Sequence, residues 1–264
     1  MNRVESAEFQ VATFQRSLLP GDFGRALETH GQLSSTNDRA MEWARAGAPH
    51  GAVVLAEEQL RGRGRLGRVW HSARGQGIWA STVAVTGRPP AEQSQVPLVA
   101  GLALAEALAA DFGVQDLALK WPNDVELNGR KLAGFLCERL PSEAGDRVII
   151  GSGINVGPLA VPAELQAIAV SLAGAGCSIG REPLLAAYLG RLEARLGQWE
   201  RSGFEALQAD YLRFCDLPGR RIQLNLPGRA VSGTAVTVDA SGALVLESGG
   251  NLTAHRAGEV ERVR

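Results

Sequence analysis

A tight hairpin is predicted by the segment Lys120-Trp-Pro-Asn-Asp-Val-Glu-Leu-Asn-Gly-Arg-Lys131. Its Asn128-Gly129 pair favours the two-residue turn that joins antiparallel strands, and short apolar runs lie on both sides of it. The segment also holds the only two lysines of a chain that otherwise uses arginine. Lysine offers a compact ammonium where arginine offers a planar fork, so the segment is a candidate site as well as a hairpin. An arginine-biased composition that leaves two lysines together by chance is the alternative.

Further strand and helix signals surround this hairpin. Apolar runs predict strands at 52–56, 78–85, 117–121, 125–127, 132–138 and 148–156. Apolar residues at helical spacing predict helices at about 36–46, 97–111, 181–201 and 204–214. Neighbouring strands joined by hairpins, together with these helices, indicate an α+β domain built on a mixed β-sheet flanked by helices.

The pattern of apolar residues changes near residue 218. Residues 22–217 contain the predicted helices and mixed sheet, and residues 1–21 are expected to form a loosely held arm with one short strand. After Leu217-Pro-Gly219, alternating apolar residues are interrupted by turn signals at Pro227-Gly228 and Ser241-Gly242. This pattern predicts a small all-β module over residues 218–264.

The composition is that of an ordinary globular protein. Of 264 residues, 45% are apolar and 21% are charged, and the formal net charge is -1. That balance gives no general attraction to nucleic acid or to acidic membranes, so neither is an expected partner. No secretory signal or membrane span is predicted. Three widely separated cysteines predict buried thiols in a reducing compartment, which favours a cytoplasmic location.

A second candidate site is the loop Gly62-Arg-Gly-Arg-Leu-Gly-Arg68. It matches the dinucleotide-binding pattern G-x-G-x-x-G, but the residues that follow are broken by glycine and open no helix. The kinase pattern fails as well, because the chain has no H-R-D segment. Physically, the glycines allow close backbone approach, and the arginines suit an anion such as phosphate or carboxylate. Contact with single-stranded nucleic acid is the alternative, and the near-neutral charge argues against it.

Five short motifs, taken together and in order, closely resemble those of the biotin protein ligases. They are Ser35-Thr-Asn37, Gln59 with Gly62–Arg68 and Trp70, Lys120-Trp-Pro-Asn-Asp124, Lys131-Leu-Ala-Gly134 and Gly151-Ser-Gly-Ile-Asn-Val156. The resemblance covers roughly residues 22 to 264. It implies a class II synthetase-like catalytic domain and a C-terminal SH3-like β-barrel. Only about thirty residues precede Ser34, too few for the helix-turn-helix domain of many relatives, so a monofunctional enzyme is expected.

The resemblance implies an ATP-dependent ligase whose substrates are biotin and ATP, with Mg2+ carried by the ATP. Biotin would react with ATP to give biotinyl-5'-AMP. A lysine of a biotin carboxyl carrier protein, such as that of acetyl-CoA carboxylase, would then accept the biotin. Relatives are often homodimers, so a homodimer is an expectation here, and no acidic cluster marks a metal site of the protein itself. A lipoate or octanoyl transferase and a non-catalytic biotin or nucleotide sensor are the competing functions.

The resemblance also assigns residues to the two substrates. Those expected around biotin are Ser35, Thr36, Asn37, Gln59, Arg63, Gly64, Arg65 and Lys131. Those expected around ATP are Gly62, Arg65, Arg68, Trp70, Asn123, Lys131 and Asn155. Ser35 and Thr36 have a second interpretation, as the N-terminal cap of the helix that follows, in a capping box ending at Asp38.

Lys131, Arg65 and Asp124 are the expected catalytic residues. An ammonium at Lys131 would hold two mutually repelling anions together, the biotin carboxylate and the α-phosphate. A surface lysine after the turn is the alternative. Arg65 would hold the adenylate. Asp124 would orient or deprotonate the carrier lysine, and the alternative is a turn-forming role with Asn123.

Three motif residues have less definite roles. Lys120 is expected to be a structural ion-pair partner. Trp121 suits the core as well as the site. Ser152 stands where relatives often carry an apolar residue between the two glycines.

Overall fold

The computed structural model describes residues 8–142 and 145–262, and it contains two β-sheets. The strands of the first are β1 (Leu27–His30), β2 (Ala52–Ala56), β3 (Gly77–Thr86), β4 (Leu117–Lys120), β5 (Asp124–Leu127), β6 (Arg130–Leu140) and β7 (Asp146–Asn155). Their order is β1-β2-β3-β7-β6-β5-β4. β1 and β2 run parallel whereas the other neighbours run antiparallel, which confirms the predicted mixed sheet.

The predicted hairpin joins β5 to β6. Asn128 and Gly129 both have positive φ, 52° and 69°. Two consecutive residues with positive φ favour Asn followed by Gly, and their backbone twist matches that of the strands on either side. The turn therefore forms where the sequence predicts it.

A bulge in β6 follows the turn and redirects its first side chains. The pairing of β5 with β6 shifts by one residue, which leaves Leu132 as the extra residue of β6. In a regular strand Lys131 and Gly134 lie on opposite faces, because they are three positions apart. The bulge places them on the same face, and a Cβ on Gly134 would lie 3.1 Å from Lys131 Cε.

Helices cover both faces of the sheet. In the described part of the chain they are α1 (Val11–Ser17), α2 (Thr36–Arg45), α3 (Val96–Glu106), α4 (Ala163–Gln166), α5 (Arg181–Ser202) and α6 (Glu205–Phe214). α3 packs with α5 and α6 on one face, while α2 packs against β2, β3 and β7 on the other. The four predicted helices are confirmed, and a π turn at Ala107–Asp111 extends α3. Among the described residues, none of the helices combines the length and apolar character that crossing a membrane requires.

The prediction of a loosely held arm with a strand is wrong for residues 8–21, and residues 1–7 lie outside the described part. The arm forms α1, which packs along α5. Phe14 is fully buried, and its ring lies 5.6 Å from that of Phe9. Burial of two aromatic rings stabilises the arm although its sequence shows little periodicity.

The C-terminal sheet has five antiparallel strands. They are β8 (Arg221–Leu226), β9 (Arg229–Val238), β10 (Leu244–Ser248), β11 (Asn251–His255) and β12 (Glu259–Arg262). Their order is β11-β10-β9-β8-β12, so β11 and β12 lie at the two edges of this SH3-like sheet. The predicted all-β module is confirmed, and its apolar residues join the same core as α3 and Trp121.

The three cysteines are free thiols. Cys215 is buried, as predicted, whereas Cys137 and Cys177 are half-buried, which corrects the prediction for those two. Desolvation, followed by the negative charge of Glu138, raises the pKa of Cys137. The Cys137 thiol is therefore protonated at neutral pH.

Candidate active site

A cavity of about 260 Å³ lies between the larger sheet, the glycine and arginine-rich loop after β2, and β12. Thirteen of the fourteen predicted site residues line it: Ser35, Thr36, Asn37, Gln59, Arg63, Gly64, Arg65, Arg68, Trp70, Asn123, Asp124, Lys131 and Asn155. Gly62 is the exception. A Cβ at Gly62 would lie 2.4 Å from the carbonyl oxygen of Trp70. Gly62 therefore shapes the loop and does not face the cavity.

The glycine and arginine-rich loop folds back on itself. The Gly64 N–H donates to Arg68 O at 2.7 Å, and the Trp70 N–H donates to Gly62 O at 2.9 Å. This narrow turn spreads the arginines in different directions. Arg63 points to the carboxylates of Asp38 and Glu138, at 2.7 and 3.2 Å.

Arg65 points into the cavity. Its Nη1 donates to Asn123 Oδ1 at 3.1 Å and its Nη2 donates to Gly258 O at 3.3 Å. Desolvation lowers the pKa of Arg65, and the charges of Asp124 and Glu259 oppose that effect. The guanidinium stays protonated at neutral pH. Because these two hydrogen bonds go to neutral oxygens, an anion in the cavity would gain a charge-assisted contact with Arg65.

Arg68 joins the loop to the C-terminal sheet. Its guanidinium binds both carboxylate oxygens of Glu259 in β12, with Nη2 and Oε2 2.6 Å apart. Sequence reasoning missed Glu259 and Gly258 as neighbours of the loop. No motif or spacing connects positions so far apart in the chain, so the sequence carries no signal for these contacts.

Lys131 lies beside a carboxylate and an aromatic ring. Its Nζ is 2.7 Å from Asp124 Oδ1 and 5.3 Å from the centroid of the Trp70 ring. An ammonium over an indole face gains a favourable cation–π interaction. The two predicted catalytic groups of this segment therefore contact each other, and the bulge in β6 makes that contact geometrically available.

Trp70 lies on a floor made by two motif glycines. Gly134 in β6 pairs with Gly153 in β7, and a Cβ on Gly153 would lie 2.5 Å from the Trp70 indole. The glycines are required because the indole occupies the space of a side chain. The Trp70 indole N–H is buried against this floor and has no hydrogen-bond partner among the described residues.

Two carboxamides at the other end of the cavity have fixed orientations. Asn37 Nδ2 donates to a backbone carbonyl of β6 at 3.2 Å and to Glu138 Oε2 at 2.6 Å. These two bonds use both amide hydrogens and fix the orientation of the carboxamide, whose Oδ1 is left as an acceptor. Gln59 Oε1 accepts the Thr36 backbone N–H at 2.8 Å, and Gln59 Nε2 donates to Ser72 Oγ at 2.8 Å. One N–H of Gln59 is left for a further acceptor.

Hydroxyl groups complete this polar end. Thr36 Oγ1 donates to Gln59 Oε1 at 3.1 Å, and Ser81 Oγ donates to Asn37 Oδ1 at 2.6 Å. Thr36 and Asn37 therefore offer acceptor oxygens, and Gln59 offers a donor. This arrangement is complementary to a cyclic urea, which carries N–H groups on both sides of a carbonyl.

Ser35 occupies the N-cap position of α2 but makes no side-chain cap hydrogen bond. Asp38, which would close the capping box, pairs with Arg63 at 2.7 Å. The capping interpretation is therefore wrong for Ser35. Ser35, a residue only 4% exposed, lines the cavity.

The motif residues with less definite roles also line the cavity, and each has a partner within the protein. Lys120 Nζ lies 3.9 Å from Glu126 Oε1, which confirms it as an ion-pair partner. Trp121 is buried, and its indole N–H donates to Gly242 O at 3.0 Å. Ser152 Oγ lies 3.0 Å from Tyr188 Oη, so its polar group has a partner in α5.

An apolar segment after β7 also lines the cavity, and sequence reasoning missed it. It contributes Val161, Leu165, Ile168 and Ala169. The Lys131 N–H donates to Ile168 O at 2.8 Å, so this segment lies directly beside the proposed catalytic lysine. Four common apolar residues in a region of weak periodicity give no sequence signal for a site.

The structure contains little that suits a metal ion bound by the protein alone. Among the described residues, no group of three His, Cys, Asp or Glu side chains has a metal-binding arrangement. Near the cavity, the carboxylates of Asp124 and Glu259 already face Lys131 and Arg68.

Two segments of the chain match known protein families. Residues 31–155 match the Biotin/lipoate A/B protein ligase family, and residues 219–263 match the Biotin protein ligase C terminal domain. The first match covers the glycine and arginine-rich loop and the segment with both lysines. The second covers the five-stranded sheet.

Individual relatives give the same result. The chain is 37% identical over 250 residues to a biotin--[acetyl-CoA-carboxylase] ligase of Mycobacterium tuberculosis, a match that covers 92% of this chain and 91% of that protein. It is 36% identical over 233 residues to the bifunctional ligase/repressor BirA of Bacillus subtilis, covering 85% of this chain and 70% of that protein. The solved structure of a biotin protein ligase from Aquifex aeolicus in complex with biotin and ATP is 28% identical. It superposes with a TM-score of 0.78 and covers 90% of this chain and 100% of that one.

Proposed function

Because this chain belongs to the biotin protein ligase family and is a ligase, we propose that it attaches biotin to one lysine of a biotin carboxyl carrier protein through biotinyl-5'-AMP. ATP is the second substrate, and Mg2+ arrives with its phosphates. The carrier belongs to acetyl-CoA carboxylase or a related carboxylase, by analogy with the relative from Mycobacterium tuberculosis.

The observation that carries the proposal is the polarity of the cavity. Acceptors on Thr36 and Asn37 and a donor on Gln59 suit the ureido ring of biotin. Towards the loop, Arg65 and Lys131 provide positive charge for a carboxylate and a phosphate. A single cavity thus suits both ends of biotin and the group that must react with it.

The first step joins two anions. An oxygen of the biotin carboxylate attacks the α-phosphorus of ATP, the bond from that phosphorus to the bridging oxygen breaks, and pyrophosphate leaves. Lys131 lowers the repulsion between the anions and stabilises charge on the phosphoryl oxygens. Arg65 binds the adenylate, Arg68 exchanges Glu259 for ATP phosphates, and Trp70 and Asn155 line the nucleotide site.

The second step transfers biotin to the carrier. The lysine amine attacks the carbonyl carbon of the mixed anhydride, the carbon–oxygen bond to phosphate breaks, and AMP leaves. The amine must lose a proton to become a nucleophile. Asp124 orients that amine and takes part in its deprotonation. We include a homodimer and a cytoplasmic location in this proposal by analogy with relatives, and sedimentation analysis tests the former.

The direct test is incubation of the purified protein with ATP, Mg2+, biotin and a carrier domain, followed by mass spectrometry of the carrier. We expect the mass of one biotinyl group on one lysine, and no addition without ATP. Lipoate in place of biotin tests the transferase alternative, and its preferential attachment would reject biotin as the substrate. Binding of biotin without any transfer would favour the sensor alternative.

A further inference from the structure

Ser81 lies in β3 directly behind the polar end of the cavity. It is fully buried, and its Oγ lies 2.6 Å from Asn37 Oδ1 and 2.8 Å from Thr36 Oγ1. The described residues that line the cavity do not include Ser81. Ser81 can therefore act on a ligand only through its two neighbours.

The directions of the hydrogen bonds among Ser81, Asn37 and Thr36 are constrained. Asn37 uses both amide hydrogens on acceptors in β6, so its Oδ1 requires a donor and Ser81 supplies it. Ser81 has one hydroxyl proton and two acceptors within reach, Asn37 Oδ1 at 2.6 Å and Thr36 Oγ1 at 2.8 Å. When it donates across the shorter contact, its oxygen can only accept from Thr36. The Thr36 proton consequently points into the protein, to Ser81 Oγ or to Gln59 Oε1. Only lone pairs of Thr36 remain for the cavity.

We propose that Ser81 is a positioning residue that sets the hydrogen-bond polarity of the cavity, so that Thr36 and Asn37 accept from the ligand and select one with N–H donors. The inference rests on the proposed function, in which that ligand group is the ureido ring of biotin. Without Ser81 Oγ, Asn37 Oδ1 loses its donor within the protein. The Thr36 hydroxyl then keeps only Gln59 Oε1, at 3.1 Å, as an acceptor in the protein, so its proton turns more readily towards the ligand. Such a cavity accepts an oxygen where the native one requires an N–H.

The test compares biotin with two cyclic carbamate analogues, each with oxygen in place of one ring N–H. Calorimetry gives the Kd of each ligand for the wild type and for Ser81→Ala. We expect the wild type to disfavour at least one carbamate strongly, because lone pairs then face each other. In Ser81→Ala, biotin affinity should fall about three- to tenfold, and the preference over that carbamate should shrink by a similar factor.

Kinetics separate positioning from catalysis. Ser81 lies at the end of the cavity away from Lys131, so Ser81→Ala should raise the KM for biotin and leave kcat and the KM for ATP unchanged. Ser81→Thr keeps the hydroxyl and should restore the preference. Thr82→Val is the matched control, because Thr82 is 1% exposed at the next position of β3 and its side chain faces the opposite side of the sheet.

The outcomes separate this inference from the proposed function. If the wild type binds biotin but the preference over the carbamate is unchanged in Ser81→Ala, Ser81 has no role in polarity, even if all affinities fall together. A folded Ser81→Thr protein that keeps the weakened preference counts against the inference as well. A wild type that binds none of the three ligands rejects the proposed function itself and removes the basis of the inference.

Discussion

Lys131 is the residue on which the proposed first step depends. Its Nζ is 2.7 Å from Asp124 Oδ1, so the ammonium is held in the cavity by a carboxylate of the protein. We expect Lys131→Ala to slow biotin-dependent exchange of pyrophosphate into ATP by about two to three orders of magnitude, the usual effect of removing one donor to transition-state charge.

The other lysine provides the control for this prediction. Lys120 carries the same charge and also lines the cavity, but its Nζ lies 3.9 Å from Glu126 Oε1 and is not paired with Asp124. Lys120→Ala should reduce exchange only slightly. Equal losses in the two variants, or full exchange in Lys131→Ala, would remove Lys131 from its proposed role.

Gly153 leaves the space that the Trp70 indole occupies. A Cβ at this position would overlap the Trp70 indole at 2.5 Å, so Gly153→Ala should displace the indole. Because Trp70 belongs to the proposed nucleotide site, we expect a higher KM for ATP with little change in the Kd of biotin. Steady-state kinetics and calorimetry measure the two values.

A substitution at a second glycine separates displacement of Trp70 from the general effect of replacing glycine by alanine. Gly197 lies in α5, where a Cβ would meet only the flexible end of Arg201 at 3.3 Å. Gly197→Ala should raise the stability of the protein, by up to about 1 kcal/mol, and leave both substrate affinities unchanged. If Gly153→Ala behaves in the same way, Trp70 does not depend on the glycine floor.

Some residues of the candidate site could be assigned from the sequence, and others could not. The motif side chains could be assigned because the chemistry requires their types at fixed spacing. Ser81 carries one signal, a polar residue in the apolar run 78–85, but the run alone does not show what its hydroxyl contacts. Fixing its role requires Asn37 and Glu138, which come from two other elements.

At the scale of elements, the sequence predicted the long segments and the short apolar strands, and it missed short elements that have no apolar run. α5 was predictable because its apolar residues recur at helical spacing over several turns, whereas α3 was predictable from one long apolar run. β1, α4 and α1 span four to seven residues, too few for a period to emerge from composition. The bulge in β6 could not be predicted either, since it depends on the register of two strands.

The contact between the loop and β12 links an element of the catalytic domain to one of the C-terminal sheet. Arg68 must leave Glu259 to bind ATP phosphates in the proposed first step. Removing the competing carboxylate in Glu259→Gln should therefore lower the KM for ATP, by about two- to fivefold if the exposed ion pair has an ordinary strength. The Arg68 side chain is 65% exposed, so stability should barely change.

Glu261→Gln is the matched control, because Glu261 lies two residues further along β12 and faces Gln223. Its KM for ATP should equal that of the wild type. Hydrogen exchange of residues 61–70 should become faster in Glu259→Gln alone. A higher KM for ATP in Glu259→Gln would instead mean that Glu259 holds Arg68 where the nucleotide needs it.

At the scale of the whole molecule, the two sheets form one core. Leu244 and Leu246 of β10 belong to the same apolar cluster as Val99 of α3 and Trp121 at the end of β4. The sequence predicted both sheets and the boundary near residue 218, since each has its own periodicity. It could not predict their shared core, because apolar residues do not reveal which distant segment they will contact.

A shared core implies that damage in the C-terminal sheet reaches the catalytic domain. Leu244 is fully buried, so Leu244→Ala should lower the free energy of unfolding by about 2–5 kcal/mol. All five tryptophans lie before residue 200, and four of them report on the catalytic domain alone, whereas Trp121, whose indole N–H donates to Gly242 O, also reports on its contact with the C-terminal sheet. We expect the fluorescence midpoint in denaturant to fall in this variant, in a single transition. Leu252→Ala, at a position 65% exposed in the same sheet, should leave the midpoint unchanged. If the Leu244 variant keeps the wild-type fluorescence midpoint, the two sheets unfold independently and the common core contributes nothing to their coupling.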